Sequence, residues 1–143
     1  MTSQDETAVE EEKSLCRHRF YHLSLSYKNY LVIYGGQSSS SGAAARNVRP
    51  VHCDIFMFDL TTHQWHDVKV KDLNRVNTSR RNHCGALLGD WMIVYGGLNT
   101  CVQYLDDLQA FNFITLTWTH ITPVGSLRPP ALCRSAARTV FHK

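Results

Sequence analysis

No apolar run in the 143 residues approaches the ~18 that a helical membrane span needs. The N-terminus also lacks the charged start and apolar stretch of a secretory signal. There is no C-x-x-C pair, and the five cysteines, Cys16, Cys53, Cys84, Cys101 and Cys133, leave one over in any full disulfide scheme. Reduced thiols in the cytoplasm, with the nucleus as a second location, are the simpler expectation. Gly-x-Ser-x-Gly and H-E-x-x-H are missing, which removes the common signatures of serine hydrolases and zinc peptidases. No Gly-x-x-x-x-Gly-Lys is found either. The chain is therefore expected to be no enzyme, with no catalytic residue, cofactor or metal assigned.

Charge is unevenly distributed. Asp5, Glu6, Glu10, Glu11 and Glu12 crowd the first fourteen residues against Lys13 alone, so a leader of net −4 leaves +7 for the rest of a chain whose total is +3. Residues 1–14, acidic and poor in large apolar groups, read as a disordered leader. A basic body favours an acidic partner or nucleic acid. Its Arg and Lys residues are spread over loops and strand ends without the basic cluster of nucleic-acid binders, which argues against the second.

What the chain does have is repetition. Arg19, His22, Tyr34, Gly35 and Gly36 recur sixty-one positions on as Arg80, His83, Tyr95, Gly96 and Gly97. Asp54, Phe58, Asp59, Thr62 and Trp65 recur fifty-three positions on as Asp107, Phe111, Asn112, Thr115 and Trp118. Shared order, with the length change confined to one loop, is the mark of a duplicated structural unit. A period near ~50 residues belongs to propeller-type repeats.

Each unit reads as four strands. Phe20 to Tyr27, a Lys28-Asn29 turn and Tyr30 to Tyr34 form a hairpin rich in aromatic and β-branched residues, matched by Asn82 to Leu88, Gly89-Asp90 and Trp91 to Tyr95. Gly-Gly follows, where the backbone can take conformations that a Cβ forbids. Loops come next, Gln37–His52 in the first copy and Leu98–Asp106 in the second, then third strands at Cys53–Asp59 and Asp107–Phe113. Asp59 and Asn112 can each bond their own backbone two residues on, with Thr62 and Thr115 supporting the tight connection into a Trp-bearing fourth strand. Four antiparallel strands make one propeller blade. The cycle restarts near Pro129, with Arg134 spaced from Trp118 much as Arg80 is from Trp65, and Arg138–Phe141 as a first strand; Ala137 stands where a His is expected.

On these residues the chain resembles the kelch-repeat family: a double glycine after an apolar strand, then an aromatic near the end of an Asp-ended strand, then a Trp. The resemblance covers about residues 16–143, as blade one (about 16–70), blade two (about 78–123) and the start of a third (about 131–143). It implies an all-β propeller of kelch blades and a non-catalytic protein-binding module whose loops hold a protein partner, as an adaptor or scaffold. It also implies an alternative, the propeller portion of a multidomain enzyme or a ubiquitin-ligase substrate adaptor. Two blades and a fraction do not close a ring of ~4–8. The expectation is a fragment of a longer propeller, or a homo-oligomer whose sister chains complete the ring.

Residues that recur in every blade are read as structural: Arg19, His22, Gly35, Gly36, Asp59, Trp65, Arg80, His83, Gly96, Gly97, Asn112 and Trp118. A catalytic pair need occur once, so Arg19 with His22 and Arg80 with His83 are assigned to holding the blades. His63 and His66 fall on opposite faces of a strand, and with His52 and Cys53 match no known ligand spacing. Partner contacts are placed on loops, at Arg46, Asn47, Arg49, Arg75, Asn77, Asn99 and Tyr104, because loops carry recognition and Arg and Tyr are favoured at hot spots.

Overall fold

The structure is a computed structural model that describes residues 18–39, 49–71 and 79–140. The acidic leader and the candidate contacts Arg46, Asn47, Arg75 and Asn77 lie outside the described residues. Among the described residues every regular element is a strand: β1 (Arg19–Phe20), β2 (Leu23–Tyr27), β3 (Tyr30–Tyr34), β4 (Gln37–Ser38), β5 (Ile55–Asp59), β6 (Trp65–Asp67), β7 (Cys84–Leu88), β8 (Trp91–Tyr95), β9 (Leu108–Asn112) and β10 (Thr117–Ile121). No helix in them is long and apolar enough to cross a membrane.

Two antiparallel sheets follow chain order, β2-β3-β5-β6 and β7-β8-β9-β10, and do not close into a ring. Their registers correspond. Tyr34 lies opposite Ile55 and Tyr30 opposite Asp59 in blade one, as Tyr95 lies opposite Leu108 and Trp91 opposite Asn112 in blade two. The single strand expected from Phe20 to Tyr27 is broken: Tyr21 takes φ 61°, and β1 leaves the blade to pair with β4 instead. The connection after the third strand follows its chemistry. Asp59 Oδ1 accepts from the amides of Thr61 (2.7 Å) and Thr62 (3.2 Å), and Asn112 Oδ1 from those of Ile114 (2.8 Å) and Thr115 (2.9 Å).

The core lies between the blades. Blade one contributes Tyr27, Val32, Tyr34 and Ile55 from its trailing face, the one turned toward blade two; blade two contributes Met92, Val94, Phe111, Phe113 and Trp118 from its leading face. Tyr27 stacks on Phe113 with ring centroids 4.2 Å apart, and Tyr34 meets Trp118 at 5.0 Å. Burying an aromatic of this size removes roughly 150–250 Å² from water, so this seam dominates the apolar stabilisation of the pair.

The corresponding leading face of blade one has nothing against it among the described residues. Leu31, Leu60 and Trp65 are 36, 51 and 38% exposed, where their repeat equivalents Met92, Phe113 and Trp118 are 0, 8 and 5%. Trp65, read as a structural residue of its blade, leans on Phe58 of its own sheet at 5.1 Å. The trailing face of blade two is also incompletely filled. A cleft of about 350 Å³ opens beside Tyr95, Leu108, His120, Arg128 and Pro129.

Beyond blade two the chain is not in the register that arginine spacing suggests. Gly97 N donates to Leu132 O (2.7 Å) as Gly36 N donates to Arg80 O (2.9 Å), so Leu132 occupies the place of Arg80. Arg134 N donates to Asn82 O (2.8 Å) as Asn82 N donates to Tyr21 O (2.9 Å), and all three residues have a left-handed φ of 55–61°. Arg134 is therefore the counterpart of Asn82 and Tyr21. Residues 138–140 of the expected strand form no strand pairing, although Thr139 Oγ1 donates to Leu87 O; Phe141 lies outside the described residues.

Candidate functional site

One end of both blades is built from the repeated residues, and the same local chemistry constructs it twice. At the end of β3 the backbone reverses through Gly35 (φ 65°) and Gly36 (φ 90°), and at the end of β8 through Gly96 (φ 67°) and Gly97 (φ 98°). A Cβ on Gly36 would meet Phe20 O and the His22 Cβ at 2.9 Å; on Gly97 it would meet Arg81 O at 2.8 Å and the His83 Cβ at 2.9 Å. Close backbone approach and left-handed φ both demand glycine there.

Into each bend runs an arginine. Arg19 donates to Gly35 O (3.1 Å) and to both carboxylate oxygens of Asp54 (2.6 and 3.1 Å). Arg80 donates to Gly96 O (3.0 Å) and to both oxygens of Asp107 (3.0 and 2.8 Å). Each guanidinium thus ties the blade's lead-in to its Gly-Gly bend and to the start of its third strand, with the planar fork matching the carboxylate. Burial works to raise the Asp107 pKa, and the Arg80 hydrogen bonds outweigh it, holding the carboxyl below its ordinary range. Both aspartates stand in the sequence repeat; that each is its arginine's partner, thirty-five and twenty-seven positions away, is the structural finding.

The histidines pack in the interior of this arrangement. His83 is buried edge-on to Tyr34, ring centroids 5.0 Å apart, and desolvation together with the positive charge of Arg80 lowers its pKa to about 3. Desolvation first, then Arg19, lowers that of His22. Both rings are neutral at physiological pH, and His83, being buried, is poorly placed to exchange protons with a bound molecule. Of the histidines outside the repeat, His63 stacks on Phe58, His66 packs edge-on to Tyr30, and His52 Nε2 lies 3.0 Å from Ser38 Oγ. Among the described residues no group of three or more His, Cys, Asp or Glu side chains could hold a metal ion.

What faces outward at this end is loop. The segment following Gly97 is fixed by its own hydrogen bonds: Asn99 Nδ2 to Gln103 Oε1 (2.8 Å), Gln103 N to Asn99 Oδ1 (2.9 Å) and Val102 N to Asn99 O (3.1 Å). It holds Val102 and Tyr104 out, each 61% exposed. Leu98 bridges Arg81 on one side and Tyr104 on the other, as Gln37 bridges Phe20 and Val51 in blade one. Arg49, exposed, lies over the Phe20 ring at 5.7 Å. Three of the expected contacts, Arg49, Asn99 and Tyr104, thus share one end of the blades. Sequence reading did not single out Tyr21, Arg81, Asn82, Val102 or Arg134 as part of this end; the left-handed lead-ins leave no residue-type signature, being Tyr, Asn and Arg in turn.

The sequence matches, over residues 1–143, the family described as the KLHDC2/KLHL20/DRC7 Kelch-repeats domain. Kelch domain-containing protein 3 of Homo sapiens is 28% identical over 109 residues, 76% of this chain and 26% of that protein, and its Bos taurus counterpart is 27% identical over the same length. Acyl-CoA-binding domain-containing protein 5 of Arabidopsis thaliana is 25% identical over 116 residues, 81% of this chain and 16% of that protein. The chain spans about a quarter of the length of the Kelch domain-containing relatives it matches. With duplicated four-stranded sheets, paired glycines and a Trp on the fourth strand of each blade, the chain belongs to the kelch-repeat family.

Proposed function

We propose that this chain is a non-catalytic protein-interaction module of kelch type, working as an adaptor or scaffold, with its Gly-Gly end as the recognition surface. Kelch repeats generally mediate protein–protein interaction, and that coarser function comes with the family. The observation that carries the finer reading is the Leu98–Asp106 loop. Its backbone is braced by Asn99 and Gln103 while Val102 and Tyr104 point away from the fold, a rigid aromatic and apolar contact held without support from the core. Residues 131–143 are taken as the start of a third blade, because Leu132 and Arg134 repeat the backbone bonds of Arg80 and Asn82. The open leading face of blade one is read as the seat of another blade, from a longer propeller or a sister chain. The cytoplasm or nucleus is its expected location.

A second reading, a propeller joined to an enzymatic or ubiquitin-ligase adaptor unit, draws on one observation. A relative whose name records an acyl-CoA-binding domain matches this chain over only 16% of its length.

The first reading is tested with a photo-crosslinking amino acid at Tyr104 or, at the opposite end of the blades, at Ile114, which is 62% exposed. The Tyr104 position is expected to capture a discrete partner in cells and the Ile114 position none. Equal capture at both, or chaperones alone, would overturn it.

A further inference from the structure

The seam between the blades is a template for two surfaces that the chain leaves open. Within it, Trp118 from blade two's fourth strand and His83 from its lead-in both stand on Tyr34 of blade one, each with ring centroids 5.0 Å away. Tyr34 and Ile55, on blade one's trailing face, are wholly buried as a result. On the trailing face of blade two the repeat puts Tyr95 and Leu108 at the same two positions. Both are only half-buried, and a cleft of about 350 Å³ opens beside them. Among the described residues no aromatic ring packs on Tyr95.

The chain's own third lead-in does not supply the missing groups. Leu132 stands in the place of Arg80, which puts Ser135 in that of His83. The side chain of Arg80 interacts with Tyr34. Tyr95 has no such partner and turns its hydroxyl to Pro129 O (2.8 Å) and Pro130 O (2.9 Å). Residues 131–140 form no strand, and Thr139 lies against Leu87 of β7 much as Leu23 of β2 lies against Gly85. This segment thus fills the place of an inner strand without the side chains that seal a seam.

Blade one carries those side chains. Arg19 and His22 are the repeat equivalents of Arg80 and His83, and Trp65 is that of Trp118. Leu31 and Leu60, exposed beside Trp65, correspond to Met92 and Phe113, which the seam buries.

We propose that a second copy of this chain docks head to tail, its blade one standing on blade two of the first, with Trp65 entering the cleft beside Tyr95 as Trp118 stands on Tyr34. Its β2 takes the place beside β7 that residues 135–140 hold, so that segment is displaced on docking. The proposal rests on reading the leading face of blade one as a seat for another blade, and names both the occupant and the surface it offers. Such a contact joins two different surfaces and repeats until a ring closes. About two to four copies supply the ~4–8 blades of a closed propeller.

The test places a photo-crosslinking amino acid at Trp65 of the full chain, mixes it with wild-type chain labelled with heavy nitrogen, and maps the crosslinked peptides by mass spectrometry. Links to Leu108, Ile121 or Pro129 of the labelled chain are expected. Links to Leu31 or Phe58 of the labelled chain instead would mean that two leading faces meet each other, which overturns docking in the cleft and leaves the face as a seat. No link between chains, with a monomer mass at every concentration, overturns the second copy as occupant and leaves the seat to a longer propeller. The displaced segment has its own readout. Tyr95→Phe keeps the ring but removes the hydrogen bonds to Pro129 and Pro130, and is expected to lower the concentration for half-association about fivefold. An unchanged or higher concentration would show that the segment stays in place, which overturns the proposed docking.

Discussion

Arg80 and Asp107 are joined by two parallel hydrogen bonds of 3.0 and 2.8 Å, with the guanidinium wholly shut off from solvent. The repeat-related pair Arg19 and Asp54 has the same fork, but its carboxylate is 35% exposed against 21% for Asp107. Among the described residues blade two has a neighbour on its leading face and blade one has none.

Breaking the inner pair strands a buried charge. Asp107→Asn or Arg80→Ala is expected to cost about 3–5 kcal/mol, and Arg19→Ala about 1.5–3 kcal/mol. Urea unfolding of the full chain measures both. Equal losses would mean that the burial difference carries no energy.

The glycine bends give a steric contrast. Gly97→Val places a branched side chain against Arg81 O and the His83 Cβ at φ 98°, and is expected to abolish protease resistance of blade two. Gly36→Val is expected to do the same to blade one. Gly89 also has a positive φ, of 57°, but no atom within 4 Å of its Cβ position, so Gly89→Ala is expected to cost only about 1 kcal/mol. Limited proteolysis with mass mapping separates the cases.

How far the fold was legible in the sequence can be judged at these positions. The paired glycines, Trp65 and Trp118, and the Asp59 and Asn112 turns were readable because duplication marks them and their conformational demands are local. The arginine–aspartate bonds were not. Repetition displayed both partners, but no periodicity links residues thirty-five apart across a bend. Arg134 was misplaced because spacing was counted from Trp118 through a connection of different length, and only the backbone bonds of Leu132 show the shift. Trp65 and Trp118 are equal in sequence and unequal in exposure, since burial depends on a neighbouring sheet that the residue itself does not encode. At the candidate site the loops were legible from composition, but the end they share was not, because β1 leaves its blade at Tyr21.

That inequality sets a third expectation. Trp118→Ala opens a cavity against Tyr34 and Phe111 and is expected to cost about 3–5 kcal/mol. Trp65→Ala, losing mainly its contact with Phe58, is expected to cost about 1 kcal/mol or less. Denaturant midpoints decide it, and a reversed order would contradict the inter-blade core.

His83 makes stability depend on acid. Its pKa is near 3 when folded and about 6.5 when unfolded, so the unfolded chain binds a proton that the folded one refuses. The contribution is absent above about pH 6.5 and destabilises progressively as pH falls toward 3, with a limiting slope of about 1.4 kcal/mol per pH unit. His22, shifted in the same direction, adds to it. His83→Gln is expected to flatten the unfolding free energy between pH 6.5 and 4; an unchanged slope would show that His83 is protonated in place.

That the leading face of blade one is a seat for another blade is tested most directly by light scattering of the full chain after size exclusion, across a range of concentrations. The expected result is a mass rising above monomer with concentration, reverting to monomer in Trp65→Glu, which puts a charge on the open face without touching the Gly-Gly end. A wild-type chain that stays monomeric at every concentration, with stability and mass unaffected by Trp65→Glu, would contradict a sister chain as the occupant of that face.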